Sequence, residues 1–596
     1  MKLKLITFLL IFALYARAEQ VLHFTSSAGD MTETVRAAVE RCTDTNIKLV
    51  FEKGIYFFRP DYALEKYCVV TNHGNGLKRI IFNFEGFESV EIEGNGSEFI
   101  FHGQVMPFLF DDCDQIQVRN LTIDWDIPFL FQSEVLAVNE KEQWIDVLPY
   151  TEGFSWQLKN EQIQFPNIDG FNYPELGSTL AFDKVESRVA HGAWDFHSSP
   201  RWVEEMPCGL LRVHEKLKHY PEVGDVLCSK GDREHDRYAP AFEVKSSKNV
   251  LFENTVVHHA LGMAYLFERT ENISILNCGV YLREGSSRVV SSTADATHFA
   301  NCKGDILIEN CRFENMLDDG TNVHGTYVEV SKILREDAVR VELKHFEQYG
   351  FEFAAPGDEI WFIKSPDPGR GEVNTVLAAK PVNERFIDLQ FERPLAKDLK
   401  IGDVLENKTW NPTFTMRGST IRDHRARNVV LKTPLKTIVE NNYFSSMMSS
   451  ILFRGETFFW FESGAVEDVV IRNNTFDYCA YSGTEHAVLF ITPKLGSNYN
   501  SQIIYDRNIR FENNEITTFD NRIVWADRVE GLVVKGNTII QTFDAKQLYP
   551  DAPLIELSNC KSVEITDNSY EGNCQKGVVL DQTSAQSLML KSNAGF

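Results

Sequence analysis

Positive charge is scarce in this chain: 60 Lys and Arg stand against 85 Asp and Glu, a formal net charge of −25 over 596 residues. Nucleic acid and anionic lipid both need clustered cations, so neither is expected as a partner. A polyuronide substrate is disfavoured for the same reason, and a neutral one fits better. Paired cysteines are lacking too. The eleven are scattered, without a CxxC pair or zinc spacing, and the odd number leaves at least one unpaired. Cys278, Cys302 and Cys311 each follow an Asn and read as small core residues rather than disulfide partners. No P-loop, dinucleotide-binding glycine pattern, Gly-x-Ser-x-Gly elbow or His-Glu-x-x-His is present, so no cofactor and no metal are expected.

Only one run is strongly apolar, and it is short. Lys2 and Lys4 precede Leu5 to Tyr15, and Ala16-Arg17-Ala18 has the small-x-small form of a cleavage site. About ten apolar residues cannot span a bilayer, which takes roughly 20. Residues 1–18 therefore read as a signal peptide, with a mature chain exported to the periplasm or medium and without a membrane span.

What the chain has in abundance is a short repeat: a polar residue, alternating apolar residues, then Asn. Copies include Ile116-Gln-Val-Arg-Asn120, Val250-Leu-Phe-Glu-Asn254, Ile273-Ser-Ile-Leu-Asn277, Ile306-Leu-Ile-Glu-Asn310, Val469-Val-Ile-Arg-Asn473 and Ile509-Arg-Phe-Glu-Asn513. The shortest intervals are 25 (Asn95 to Asn120), 23 (Asn254 to Asn277) and 24 (Asn513 to Asn537). A period in the low twenties, with strands and no helices between, predicts the coils of a right-handed parallel β-helix. Asn suits the strand end because it tolerates left-handed backbone and its amide can bond to an Asn one rung away. The 43 Phe, many at inward positions, are expected to stack along the core. Thr32 to Cys42 reads as an amphipathic helix that caps the first coil and protects its edge.

Two stretches break the period, about 129–240 and 327–408. Both show two-residue alternation, and both end on the same signature, Val223-Gly-Asp-Val-Leu and Ile401-Gly-Asp-Val-Leu. They read as two small β-barrel-like insertions. The expected organisation is thus β-helix over 19–128, insertion over 129–240, central coils over 241–326, insertion over 327–408 and closing coils over 409–596. The insertions could also supply a homodimer interface.

The chemistry concentrates in Asp295-Ala-Thr-His298 and Asp318-Asp319-Gly320-Thr-Asn322-Val-His324. Aligning Asp305 with Asn272 and counting back ten places Asp295 opposite Gly262. Counting forward eight from Asn254 and Asn310 places Gly262 opposite Asp318. With rungs about 4.8 Å apart, Asp295, Asp318 and Asp319 should meet on one outer face. Three carboxyls so close cannot all ionise freely, so one should keep a proton, the condition for an acid beside a base. Turn-capping Asp residues and a calcium loop are the alternatives for the cluster, and a glycan-binding β-helix without chemistry or a lyase or polygalacturonase acting on another polysaccharide are the alternatives for the chain. His298, Asn322, His324 and Arg454 are candidate substrate contacts, and Trp194 and Trp460 could stack on sugar rings.

The paired Asp318-Asp319 and Thr293-Ala294-Asp295 resemble the polygalacturonases of glycoside hydrolase family 28, although Val323-His324-Gly325 fits their Gly-His-Gly only in part and their Arg-Ile-Lys is not evident. Asp295-Ala-Thr-His, Leu317-Asp-Asp-Gly-Thr-Asn-Val-His-Gly and the two insertions resemble glycoside hydrolase family 110 from end to end, in its type B. That resemblance implies an exo-acting α-1,3-galactosidase that inverts the anomeric centre. It implies galactose-terminated glycans as partners: branched blood group B structures and linear α-1,3-galactose caps. It also implies Asp318 as the acid, a role that Asp319 could exchange with it, with Asp295 and Asp319 holding the attacking water.

Overall fold

The computed structural model describes residues 19–233, 235–483 and 486–596, so the expected signal peptide lies outside the described residues. The repeat does build a parallel β-helix. Its strands are short and alternate in burial, as in Asn46–Phe51, where Ile47, Leu49 and Phe51 turn inward. Each rung bonds in parallel to the next: Ile116 stands beside Val250, Val250 beside Ile273, Ile273 beside Ile306 and Ile306 beside Phe414. The stack continues through Thr437, Val469, Ile509 and Leu532. The helix Thr32–Glu40 closes the N-terminal end, burying Val35 and Val39 on the core.

Aromatic stacking follows the rungs. Phe82, Phe108, Phe242 and Tyr265 form a column with ring centroids 4.4, 4.7 and 5.1 Å apart. Cys278, Cys302 and Cys311 are buried free thiols. The Asn positions divide their work. Asn441, Asn473 and Asn513 take the left-handed backbone, with φ of 58°, 55° and 53°, while the residue after each forms the ladder. The Nδ2 of Asn442, Asn474, Asn514, Asn537 and Asn568 each donates to the Oδ1 of the next Asn at 2.9–3.1 Å, ending at Asn593.

Both insertions leave and rejoin the stack without disturbing it, since Ile116–Trp125 bonds directly to Lys248–Val257, and Lys303–Glu309 to Pro412–Arg417. The first insertion is an eight-stranded antiparallel sheet running from Phe131–Asn139 to Val226–Ser229. The second grows out of a rung. Thr321–Arg335 starts as a coil strand and then pairs with Ala338–Glu342 and Val404–Asn407, and those pairings close a six-stranded ring. Among the described residues no helix is long and apolar enough to cross a membrane.

Asn514 makes four buried hydrogen bonds in the ladder. Asn514→Ala strips them and leaves neighbours unsatisfied, so it should cost about 1–3 kcal/mol, read as a lower denaturant midpoint. An unchanged midpoint would mean that the ladder does not support the stack.

Candidate active site

The turn that precedes one face of the stack gathers the site. Tyr265, Thr297, Thr321 and Val429 are register partners on successive rungs. Two residues upstream of each stand Met263, Asp295, Asp319 and Arg427. Asp295 is therefore level with Asp319, while Asp318 is level with Ala294 and Gly262. This corrects the expected alignment of Asp295 with Gly262 and Asp318. The cause is a bulge: Glu271 pairs with Lys303 but Ile273 with Ile306, and Gly304 takes the extra position at φ +72°. Counting back across it from Asp305 shifts the register by one.

The bulge does not separate the acids. Asp295, Asp318 and Asp319 bring carboxylate oxygens within 4.8 Å of one another. Each has its own partner. Asp318 is clamped by Arg237 at 2.5 Å and Arg425 at 2.7 Å. Asp319 accepts from the Arg427 guanidinium at 2.9 Å and from its backbone N–H at 3.0 Å. Asp295 Oδ2 lies 2.7 Å from His298 Nδ1.

These partners distribute the protons. Burial pushes Asp295 up to about 8, helped by the Asp318 charge. Burial also pushes Asp319 well above the carboxylate range, against the pull of Arg427. Asp318 is half-buried, and Arg425 and Arg237 hold it well below that range. In the free pocket Asp318 is thus the ionised member, and the protons lie on Asp295 and Asp319.

The histidines differ from expectation too. His298 and His324 are buried, and all four ring nitrogens face protein atoms. The Nε2 atoms lie 2.8 Å apart, Asn72 Nδ2 lies 2.8 Å from His298 Nε2, and His324 Nδ1 lies 2.7 Å from the Gly325 carbonyl. Neither ring has a nitrogen to spare for a sugar hydroxyl. His298, Asn322 and Arg454 line the cavity, and His324 does not. Arg454 Nε is buried without a partner, and burial beside Arg427 lowers its pKa to about 10. Trp460 lines the cavity, whereas Trp194 stacks on His219 at 4.9 Å.

Two donor clusters are close enough to raise the question of a metal: the three Asp, and His298 with His324 and Glu462. The Lys432 ammonium already bonds to Glu462, and three arginines neutralise the Asp cluster. Neither donor set is left with charge for a cation to balance.

Two cavities meet here. An inner one of about 380 Å³ holds all three Asp, with Asn322, Arg454 and Lys494. An outer one of about 370 Å³ is walled by the first insertion through Ser178, Asp195 and His197. Asp318, Arg237, Arg425 and Trp460 line both. Six cationic side chains converge on the inner cavity, Arg237, Arg425, Arg427, Lys432, Arg454 and Lys494, which the chain-wide charge of −25 conceals. Sequence reasoning missed five of them. Arg427 was accessible by extending the Asp319 position one rung; Arg237 ends an insertion and carries no local signal.

The sequence models of three families match: "GLAA-B beta-barrel domain I" over residues 131–227, "GLAA-B beta-barrel domain II" over 338–405 and "Right handed beta helix region" over 404–594. The chain is 33% identical to alpha-1,3-galactosidase A of Shewanella woodyi, over 88% of this chain and 85% of the relative. The chain belongs to the α-1,3-galactosidase family. Alpha-1,3-galactosidase B of Bacteroides thetaiotaomicron is 29% identical, over 94% of this chain and 92% of the relative. Relatives thus carry both the A and B names at similar identity. A solved family 28 exopolygalacturonase from Yersinia enterocolitica covers 95% of this chain and 79% of its own, at 9% identity and a TM-score of 0.38, too low to inform function.

Asp295 titrates from 3.8 unfolded to about 8 folded. Its contribution to stability is fully present below 3.8 and is lost as pH rises toward 8. Asp295→Asn mimics the protonated form, so at pH 8 it should be more stable than wild type by at least about 1 kcal/mol. The difference should vanish near pH 4. Thermal midpoints across pH test this, and a pH-independent difference contradicts the assignment.

Proposed function

We propose that this protein is an exported exo-α-1,3-galactosidase that hydrolyses terminal α-1,3-linked galactose. The observation that carries the reading is the Asp295–Asp318–Asp319 cluster on the seam between two cavities, in a chain of this family. Each cavity is of ligand-pocket size. The terminal galactose sits in the inner cavity against Asn322 and Arg454, and the departing glycan sits in the outer one. Branched blood group B glycans and linear α-1,3-galactose caps are the proposed substrates.

Asp318, alone among the three in lining both cavities, faces the bond to be cut and protonates the leaving oxygen. Asp295 and Asp319, lining only the inner cavity, hold and deprotonate the attacking water. Because the resting protons lie on Asp295 and Asp319, the Asp319 proton crosses to Asp318 when sugar hydroxyls draw Arg237 or Arg425 from it. We propose inversion at the anomeric carbon, with two carboxyls on water. The spacing within 4.8 Å is narrower than the roughly 6.5–9.5 Å usual for inverting pairs, so the product anomer is the measurement that decides. Initial β-galactose in proton NMR is expected, and initial α-galactose excludes inversion.

Two substrates separate the acid from the base. Asp318→Asn should lose about 10³-fold or more on a natural α-1,3-linkage yet recover much of it on a dinitrophenyl α-galactoside, whose leaving group needs no proton. Asp295→Asn should lose activity on both. Near-normal turnover of the natural linkage by Asp318→Asn refutes its role.

The cations of the inner cavity favour one second reading, hydrolysis of a uronate-containing polysaccharide. A panel of α-1,3-, α-1,4- and α-1,6-galactosides and polygalacturonate distinguishes them: galactose release from the first supports the primary reading, and reducing ends from the last the second.

A further inference from the structure

The two facing histidines pose a proton problem that neither the fold nor the cutting of a glycosidic bond accounts for. A carbonyl oxygen only accepts, so the 2.7 Å contact of His324 Nδ1 with Gly325 O puts a hydrogen on that nitrogen. Burial keeps the His324 ring neutral, its pKa lowered to about 3, so His324 Nε2 is a bare acceptor. The hydrogen in the 2.8 Å Nε2–Nε2 contact therefore belongs to His298. Asn72 Nδ2 lies 2.8 Å from the same Nε2, so this tautomer requires the Asn72 amide to be turned over, with Oδ1 accepting from the Nε2–H.

With Nε2 protonated, a neutral His298 has a bare Nδ1, 2.7 Å from Asp295 Oδ2. Two lone pairs cannot face each other at that distance. One proton lies between them, on Asp295 in the resting pocket or on His298 as an imidazolium. Burial lowers the His298 pKa to about 4, which places it on Asp295. The charges facing His298 are balanced across elements: Glu462 and Asp318 favour the imidazolium, Lys432 and Arg237 oppose it, and His73 is buried and neutral.

We propose that His298 is a positioning residue that stores the Asp295 proton, turning Asp295 from a carboxylic acid into the carboxylate that accepts from water. The Asp295 Oδ2–H bond breaks as the His298 Nδ1–H bond forms, and the ring becomes an imidazolium paired with Asp295. Asp295 then takes the proton of the attacking water on its other oxygen. The proton count is unchanged, because Asp318 gives one proton to the leaving oxygen and Asp295 takes one from water, and after product leaves the pocket resets when the proton on His298 is returned to Asp319. Asn72, His324 and the Gly325 carbonyl hold the ring in the one tautomer that permits this. The inference rests on the hydrolytic reading of the site.

His298→Gln offers Asp295 a hydrogen bond but cannot store a proton. With an α-1,3-galactoside, kcat should fall tenfold or more near pH 6.5 with KM little changed. The acidic limb of the pH profile should move up by a unit or more, so that activity recovers toward pH 8. A uniform loss at all pH values, or a rise in KM alone, overturns the proposal. Nitrogen-15 NMR of histidine-labelled wild type stands apart from folding of the variant and from the substrate assignment. It should show neutral His298 with Nε2–H and bare Nδ1 in the free protein, and a second N–H once galactose is bound. A neutral Nδ1–H tautomer, or a metal ion that copurifies between the two Nε2 atoms, overturns it.

Discussion

Parallel pairing between successive coils is the constraint on which everything else rests. Hydrogen bonds from rung to rung fix which residue lies beside which, and side chains upstream of a strand inherit that alignment. Asp295, Asp319 and Arg427 are far apart in sequence, yet they stand in line because Thr297, Thr321 and Val429 are register partners. The insertions are tolerated for the same reason. Chain can leave between two rungs and return, provided that the rungs still bond.

That alignment creates an electrostatic cost, which the site meets locally. Three carboxyls this close would repel one another, and each finds a different answer: two guanidinium groups for Asp318, a guanidinium and a backbone N–H for Asp319, and an imidazole for Asp295. The differences in partner separate the proton affinities of residues that are chemically identical. A long-range property such as net charge is blind to this, because the cations sit within a few ångströms of the acids that they balance.

The histidines behind the acids follow a logic of their own. His298 and His324 look from their place in the motif like groups that greet a sugar, yet their nitrogens are consumed by Asp295, Asn72, Gly325 and each other. Buried imidazoles with fully assigned partners fix tautomers, and a fixed tautomer decides where a proton can go. Lys432 and Glu462 complete the balance from the neighbouring rung and from the strand Glu462–Ser463.

Much of this was legible in the chain. The period of 23 to 25 residues, the Asn at strand ends, the two breaks in the repeat and the gathering of Asp295, Asp318 and Asp319 all follow from local pattern, because a coil repeats its backbone and so its residue types. The one-residue shift at Gly304 was not legible: a bulge alters pairing without altering the pattern on either side. Arg237, Asn72 and Lys494 were equally silent: the first two lie outside the Asn-ended strands, and Lys494, which bridges to Glu456 on the preceding rung, has no motif around it. By itself the sequence determined the scaffold and the set of acids, for both depend on periodicity. Only the tertiary structure decided the register, the arginine clamps, the proton positions and the meeting of two cavities, for these depend on distances between segments that no spacing along the chain encodes.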